Sequence, residues 1–233
     1  MSPPRAGGAP NALLRVAIVL ATAVLVLTGC SRVVDGTASA PAEAAGWGSG
    51  QGAGVTVGGA GDVATGITVF VDFQCPFCQR FEAEYGEEIT KYVTEGRLQV
   101  TYRPVSFLDP ISVSGDYSSR AAAALFLIDN SGAADPVILG FIGEMFRRQP
   151  AEGMGNLTNL QISEIAAGAG VTGDVLHEIS SLQVTDADRQ RTAGNEQQLT
   201  DHGLGGVPAV IDSSGEMVDP SDADWLARLV GTR

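Results

Sequence analysis

The 233-residue chain carries 27 acidic against 14 basic residues, a net charge of −13, with 30 glycines, three cysteines and two histidines. That charge argues against nucleic acid and against electrostatic attachment to anionic lipid. Three cysteines are too few for a stapled scaffold, and two histidines far from the Cys-x-x-Cys leave a zinc site short of ligands, so neither metal nor cofactor is expected.

In chain order, residues 1–29 read as an export segment. Arg5 and Arg15 precede any acidic residue, and the 12-residue apolar run over 16–27 is shorter than the ~20 residues a membrane span needs. The run ends in Leu27-Thr28-Gly29-Cys30, which resembles the bacterial lipobox and implies cleavage before Cys30 and a lipid on its sulfur; an uncleaved anchor is the alternative. Either way the domain lies outside the cytoplasm, where disulfides persist. Cleavage would remove both early arginines, leaving 12 basic against 27 acidic residues and a net charge of −15. Residues 30–54 form a Gly/Ala/Ser-rich tether that cannot bury enough surface to order itself. The folded domain is expected over 55–233.

A short strand is expected at 55–57. Residues 67–73 form a nearly continuous apolar run, as in a strand buried on both faces. A helix follows through Thr94, with Phe81, Tyr85, Ile89 and Tyr92 on one face, and an alternating strand at 98–102 stops at Pro104. Helices are expected at 117–129, 136–148, 163–168, 173–182 and 186–202. A hairpin at 207–218 turns on Ser213-Ser214-Gly215, and Ser221 is expected to cap a last helix through Leu229, with Asp222 and Asp224 in its first turn.

Cys75-Pro76-Phe77-Cys78 stands at the first strand-to-helix junction. Pro76 suits a helix's first turn, where its missing N–H costs nothing. Cys75 would then lie at the positive end of the helix dipole, which favours thiolate. Residues three apart on a helix are neighbours, so the two sulfurs come within bonding range with small adjustment. Cys75 is expected to be exposed and nucleophilic, Cys78 shielded and resolving. Asp72 is the nearest acid; it reads as a polar strand-end residue, with a proton relay to Cys78 as the alternative. Glu82 and Glu84 read as solvated helix-face charges, and His177 and His202 as surface residues.

Asp72-Phe73-Gln74-Cys75-Pro76-Phe77-Cys78 together with Gly203-Leu204-Gly205-Gly206-Val207-Pro208-Ala209-Val210 resembles the DsbA-like thioredoxin family of extracytoplasmic thiol–disulfide oxidoreductases. The resemblance implies an α/β thioredoxin fold with a helical insertion, about 112–202, between a βαβ half and a C-terminal ββα half. It implies Cys75 and Cys78 as the redox-active disulfide and Pro208 as a cis-proline facing it. Val207, Pro76 and Phe77 would line the client site, with the client pairing to the Val207 backbone. Two departures matter: Phe77 stands where strong oxidants of this family carry histidine, and Val69 where thioredoxin and DsbA carry a buried carboxylate. Without the histidine, the Cys75 thiolate loses one stabilising charge and the pair should be less oxidising.

The expected function is a membrane-anchored oxidoreductase exchanging disulfides with exported cysteine-containing proteins and recycled by a membrane redox partner. The tether is too short for a dimerisation domain, which favours a monomer. The rival is a binding lipoprotein that uses the fold as a scaffold around a structural disulfide.

Overall fold

The protein is described by a computed structural model covering residues 54–59, 65–151 and 154–231. The export segment, Cys30 and the tether up to residue 53 lie outside the described residues, so the expectations placed on them are not addressed by the fold.

Five strands and seven α-helices make up the regular structure of the described residues, with a block of five helices between β3 and β4. Strand β1 (Val55–Val57) leads to β2 (Gly66–Val71), helix α1 (Pro76–Thr94) and β3 (Gln99–Pro104). Helices α2 (Tyr117–Asn130), α3 (Asp135–Arg147), α4 (Asn159–Ala169), α5 (Val175–Ser180) and α6 (Asp186–Asp201) follow a 3-10 turn at Asp109–Ile111. The chain closes with β4 (Ala209–Asp212), β5 (Met217–Val218) and α7 (Trp225–Gly231). The sheet order is β1-β3-β2-β4-β5. β2 and β3 are parallel across the α1 crossover, and β1, β4 and β5 join antiparallel. This is the thioredoxin fold with a helical insertion between its two halves.

Alternation along β2 separates two cores. Ile67, Val69 and Val71 face the main cluster, while Phe70 turns to the opposite side and packs with Val105, Leu199, Ala209 and Ile211. α1 contributes Phe81, Tyr85, Ile89 and Tyr92 to the main core, the stripe its spacing predicts. Trp225 of α7 packs edge-on to Tyr85 at 5.4 Å between ring centroids, and the Tyr85 hydroxyl donates to Pro220 O at 2.6 Å. α2 is buried nearly all round, as its alanine-rich, almost charge-free sequence requires.

The sequence reading of three boundaries needs correction. α4 starts at Asn159, four residues before the expected 163, because Thr158 and Gln161 form a reciprocal capping box. α7 starts at Trp225, and Ser221 does not cap it: the Ser221 N–H donates to Asp219 Oδ1, and Asp222 accepts the Asp224 N–H on its own carboxylate. These short acidic side chains close local turns instead of entering the helix. β2 ends at Val71, so Asp72 and Phe73 belong to the loop that carries the cysteines.

The insertion is fastened to that loop. Phe73 stacks on Phe146 with centroids 5.0 Å apart; Gln149 Nε2 donates to Phe73 O and Gln79 Nε2 to Phe146 O, both at 2.9 Å. Asn156 Nδ2 donates to Gln74 Oε1 at 3.0 Å. α6 closes the other side, with Asn195 Nδ2 donating to Pro104 O and Glu196 accepting the Ser106 N–H, both at 2.8 Å.

Candidate active site

α1 begins immediately after Cys75. Cys75 holds the N-cap position with extended backbone, Pro76 takes the first helical position, and the first intrahelical bond runs from Gln79 N–H to Cys75 O. The N–H groups of Phe77 and Cys78, which a helix end leaves without intrahelical partners, face the Cys75 sulfur. The two thiols are unbonded and in hydrogen-bond contact, with Cys78 donating to Cys75.

The two sulfurs sit in opposite electrostatic settings. The Cys78 thiol hydrogen bond, and then the helix-end N–H groups, lower the Cys75 pKa from 9.0 to about 6 against burial and the Asp72 charge. Burial drives the Cys78 thiol well above 9.0, and its contact with Cys75 adds to that. The pair therefore holds a thiolate on the first sulfur and a proton on the second near neutral pH.

Cys75 is only 7% exposed, which corrects the expectation of an open nucleophile. The loop before β4 covers it: Val207 O lies 3.5 Å from Cys75 Sγ, and the Val207–Pro208 peptide is cis. Beside that loop runs a shallow groove lined by Leu204, Gly206, Pro208, Met217, Val218 and Pro220. Pro76 is half-buried, while Phe77 is 61% exposed and carries the Arg80 guanidinium 4.3 Å above its ring centroid. The structure thus gathers Cys75, Cys78, Pro76, Phe77, Val207 and Pro208 at one end of the sheet.

Two acids differ from the sequence reading. Asp72, read as a polar strand-end residue, lies just past β2 and is wholly buried; its carboxylate accepts the Gln74 N–H, the Leu108 N–H and the Ser118 hydroxyl. Burial nevertheless raises it from 3.8 to about 6. Glu82 is not a solvated helix-face charge: its Oε2 is sealed from solvent with no hydrogen-bond partner, and burial raises the carboxyl from 4.5 to about 7. Its Oε1 fills the space over Gly86, where an added Cβ would fall 2.6 Å away. Glu84 is exposed, as are His177 and His202. Among the described residues, no cluster of three or more His, Cys, Asp or Glu side chains is placed to hold a metal ion. Sequence reasoning missed Ser118 and Leu108 as partners of this site, and neither carries a motif signal.

Residues 54–230 match the family model described as Thioredoxin. Among solved structures, the reduced DsbA of Mycobacterium tuberculosis superposes with a TM-score of 0.63 at 26% identity, covering 78% of this chain and 94% of that one. The reduced DsbG of the same organism gives 0.62 at 26% identity over 77% and 88%. MdbA of Corynebacterium diphtheriae, a thiol-disulfide oxidoreductase, shares the fold with a TM-score of 0.65 at 20% identity, over 78% and 93%. The serine/threonine-protein kinase PknE of Mycobacterium tuberculosis is 30% identical over 171 residues, 72% of this chain. The chain spans only 30% of the length of that relative, so the kinase activity in its name is not carried over.

Proposed function

Since the chain belongs to the thioredoxin family, in its DsbA-like branch of thiol–disulfide oxidoreductases, we propose that it oxidises exported cysteine-containing proteins through the Cys75–Cys78 pair. The observation that carries this reading is the opposed setting of the two sulfurs, a thiolate-favouring Cys75 at a helix N-terminus and a sealed Cys78 behind it. A client thiolate attacks the Cys75 sulfur of the disulfide. The S–S bond breaks, its electron pair passes to Cys78, and Cys78 takes a proton. The client's second thiolate then attacks the client sulfur of the mixed disulfide, and Cys75 leaves as a thiolate. A low Cys75 pKa makes it a good leaving group and stabilises the dithiol, which is what an oxidant needs. Pro76, Phe77 and the Val207–Pro208 backbone frame the entry, and the groove beside Pro208 receives the client's flanking residues in extended form.

In the same reading residues 1–29 are removed, Cys30 carries the lipid, and residues 30–54 tether the domain of residues 55–233 to the outer face of the cell membrane. Two or three acyl chains on one cysteine meet the requirement for stable attachment. The domain acts as a monomer and is re-oxidised by a membrane redox partner.

The test is equilibration of the purified protein with glutathione buffers, alongside oxidation of a reduced two-cysteine peptide. The expected potential lies between about −120 and −270 mV, with turnover that disappears in Cys75→Ser. A potential below about −300 mV with no turnover would make the disulfide structural and favour a binding scaffold.

A further inference from the structure

The start of α1 presents two exposed side chains beside the redox pair. Cys75 caps the helix, Phe77 takes its second position and Arg80 follows three residues on, so that Phe77 and Arg80 share a face. Phe77 is 61% exposed, and the Arg80 guanidinium carbon lies 4.3 Å above its ring centroid. The stack engages the flat face of the cation. The N–H donors around its edge stay open to water.

Arg80 is unlike most arginines of this protein. Arg97, Arg120, Arg147, Arg148 and Arg228 each pair with a carboxylate, whereas among the described residues no salt bridge reaches Arg80. Glu84, four residues on and at a spacing that allows such a pair, lies against the Tyr85 hydroxyl instead, at 3.1 Å. In a chain with 27 acidic and 14 basic residues, this guanidinium is left available to a partner from outside. With Val207 O 3.5 Å from Cys75 Sγ and the start of α1 carrying that sulfur, a client cysteine that reaches it brings its sequence neighbours against both elements.

We propose that Arg80, held on the Phe77 ring, is a specificity-determining residue that binds a carboxylate beside the client's reacting cysteine, so that the protein favours acidic cysteine segments. This rests on the exchange reaction proposed above and names its client class. A planar guanidinium offers a carboxylate two parallel N–H donors, a geometry that an ammonium does not reproduce. The screening length at physiological salt is about 8 Å, so the acids elsewhere on the surface weigh little on a docked client and the cation at the rim weighs most. Phe77 contributes by fixing where that cation stands.

The test compares oxidation of two reduced two-cysteine peptides that differ only in Asp or Asn next to one cysteine. The native full chain should favour the Asp peptide several-fold in kcat/KM. Arg80→Gln should abolish the preference, and Arg80→Lys should retain only part of it. Phe77→Ala, which frees the guanidinium but keeps its charge, should also lose part. A second measurement needs no client: the ratio of the rates at which anionic iodoacetate and neutral iodoacetamide alkylate Cys75 at pH 8. Arg80→Gln should lower that ratio several-fold. Equal rates for the two peptides with the native protein, or a preference that survives in Arg80→Gln, overturns the proposal. If neither peptide is oxidised, the exchange reaction fails, and the alkylation ratio decides Arg80 by itself: a ratio unchanged in Arg80→Gln overturns its role.

Discussion

Replacing Glu82 by Gln should stabilise the protein in a strongly pH-dependent way. Glu82 sits one turn beyond Cys78 on α1, with Oε1 against Gly86 and Oε2 sealed without a partner. Burial raises its carboxyl from 4.5 to about 7, so the folded state holds the proton longer than the unfolded chain does. The stability that this proton confers is complete below pH 4.5 and is lost as pH rises to about 7. A shift of that size amounts to ~3 kcal/mol for full desolvation. The residue as a whole is half-buried, so solvent screening reduces the expected penalty at pH 8 to ~2 kcal/mol. Gln keeps the shape of the protonated acid and cannot ionise. Urea unfolding of the oxidised protein at pH 4, 6 and 8 should show no difference at pH 4 and a gain of ~2 kcal/mol at pH 8, with the denaturant slope unchanged. Asp72 tilts both proteins' pH profiles alike, so the difference curve isolates Glu82. A gain equal at pH 4 and pH 8, or a loss at pH 8, would show that no unpaired charge is buried there.

Alkylation of the reduced protein should follow the thiolate, with Cys75 half-maximally reactive near pH 6 and Cys78 at least ~100-fold slower at pH 7; comparable rates in peptide mapping would contradict the asymmetry. Phe77→His should raise the potential by ~30 mV, since a partly exposed cation beside the thiolate stabilises the dithiol; an unchanged potential and Cys75 titration would mean that position 77 does not face the sulfur. Cys30→Ala should abolish partition into membranes and detergent phases, and an acylated product from that variant would rule out the lipid at Cys30.

Much of this architecture is legible locally. The apolar run before Cys75, the spacing of Phe81, Tyr85, Ile89 and Tyr92, and the Gly-Gly-Val-Pro segment each carry their signal within a few residues. What escapes sequence reading depends on contacts made across the chain. Cys75 is covered because Val207, 132 residues later, reaches its sulfur. Asp72 is buried because Leu108 and Ser118 bring donors from 36 and 46 residues away. Glu82 reads as a surface charge because only tertiary packing seals its Oε2. The late start of α7 is different: Asp222 and Asp224 match a helix's first turn by composition, yet Asp222 spends its carboxylate on the Asp224 N–H and on Arg228. The start of α4 is legible in Thr158 and Gln161, whose capping-box spacing precedes the expected helix.

The central claim is that Cys75 exchanges disulfides and Cys78 resolves them. Trapping tests it most directly. The purified Cys78→Ala protein, mixed with a peptide disulfide near neutral pH, should accumulate a stable mixed disulfide at Cys75, seen as a mass increase that reductant reverses. Under the same conditions Cys75→Ala should accumulate none, because its remaining thiol is buried and protonated. Equal trapping by the two variants, or none by Cys78→Ala, would contradict the account.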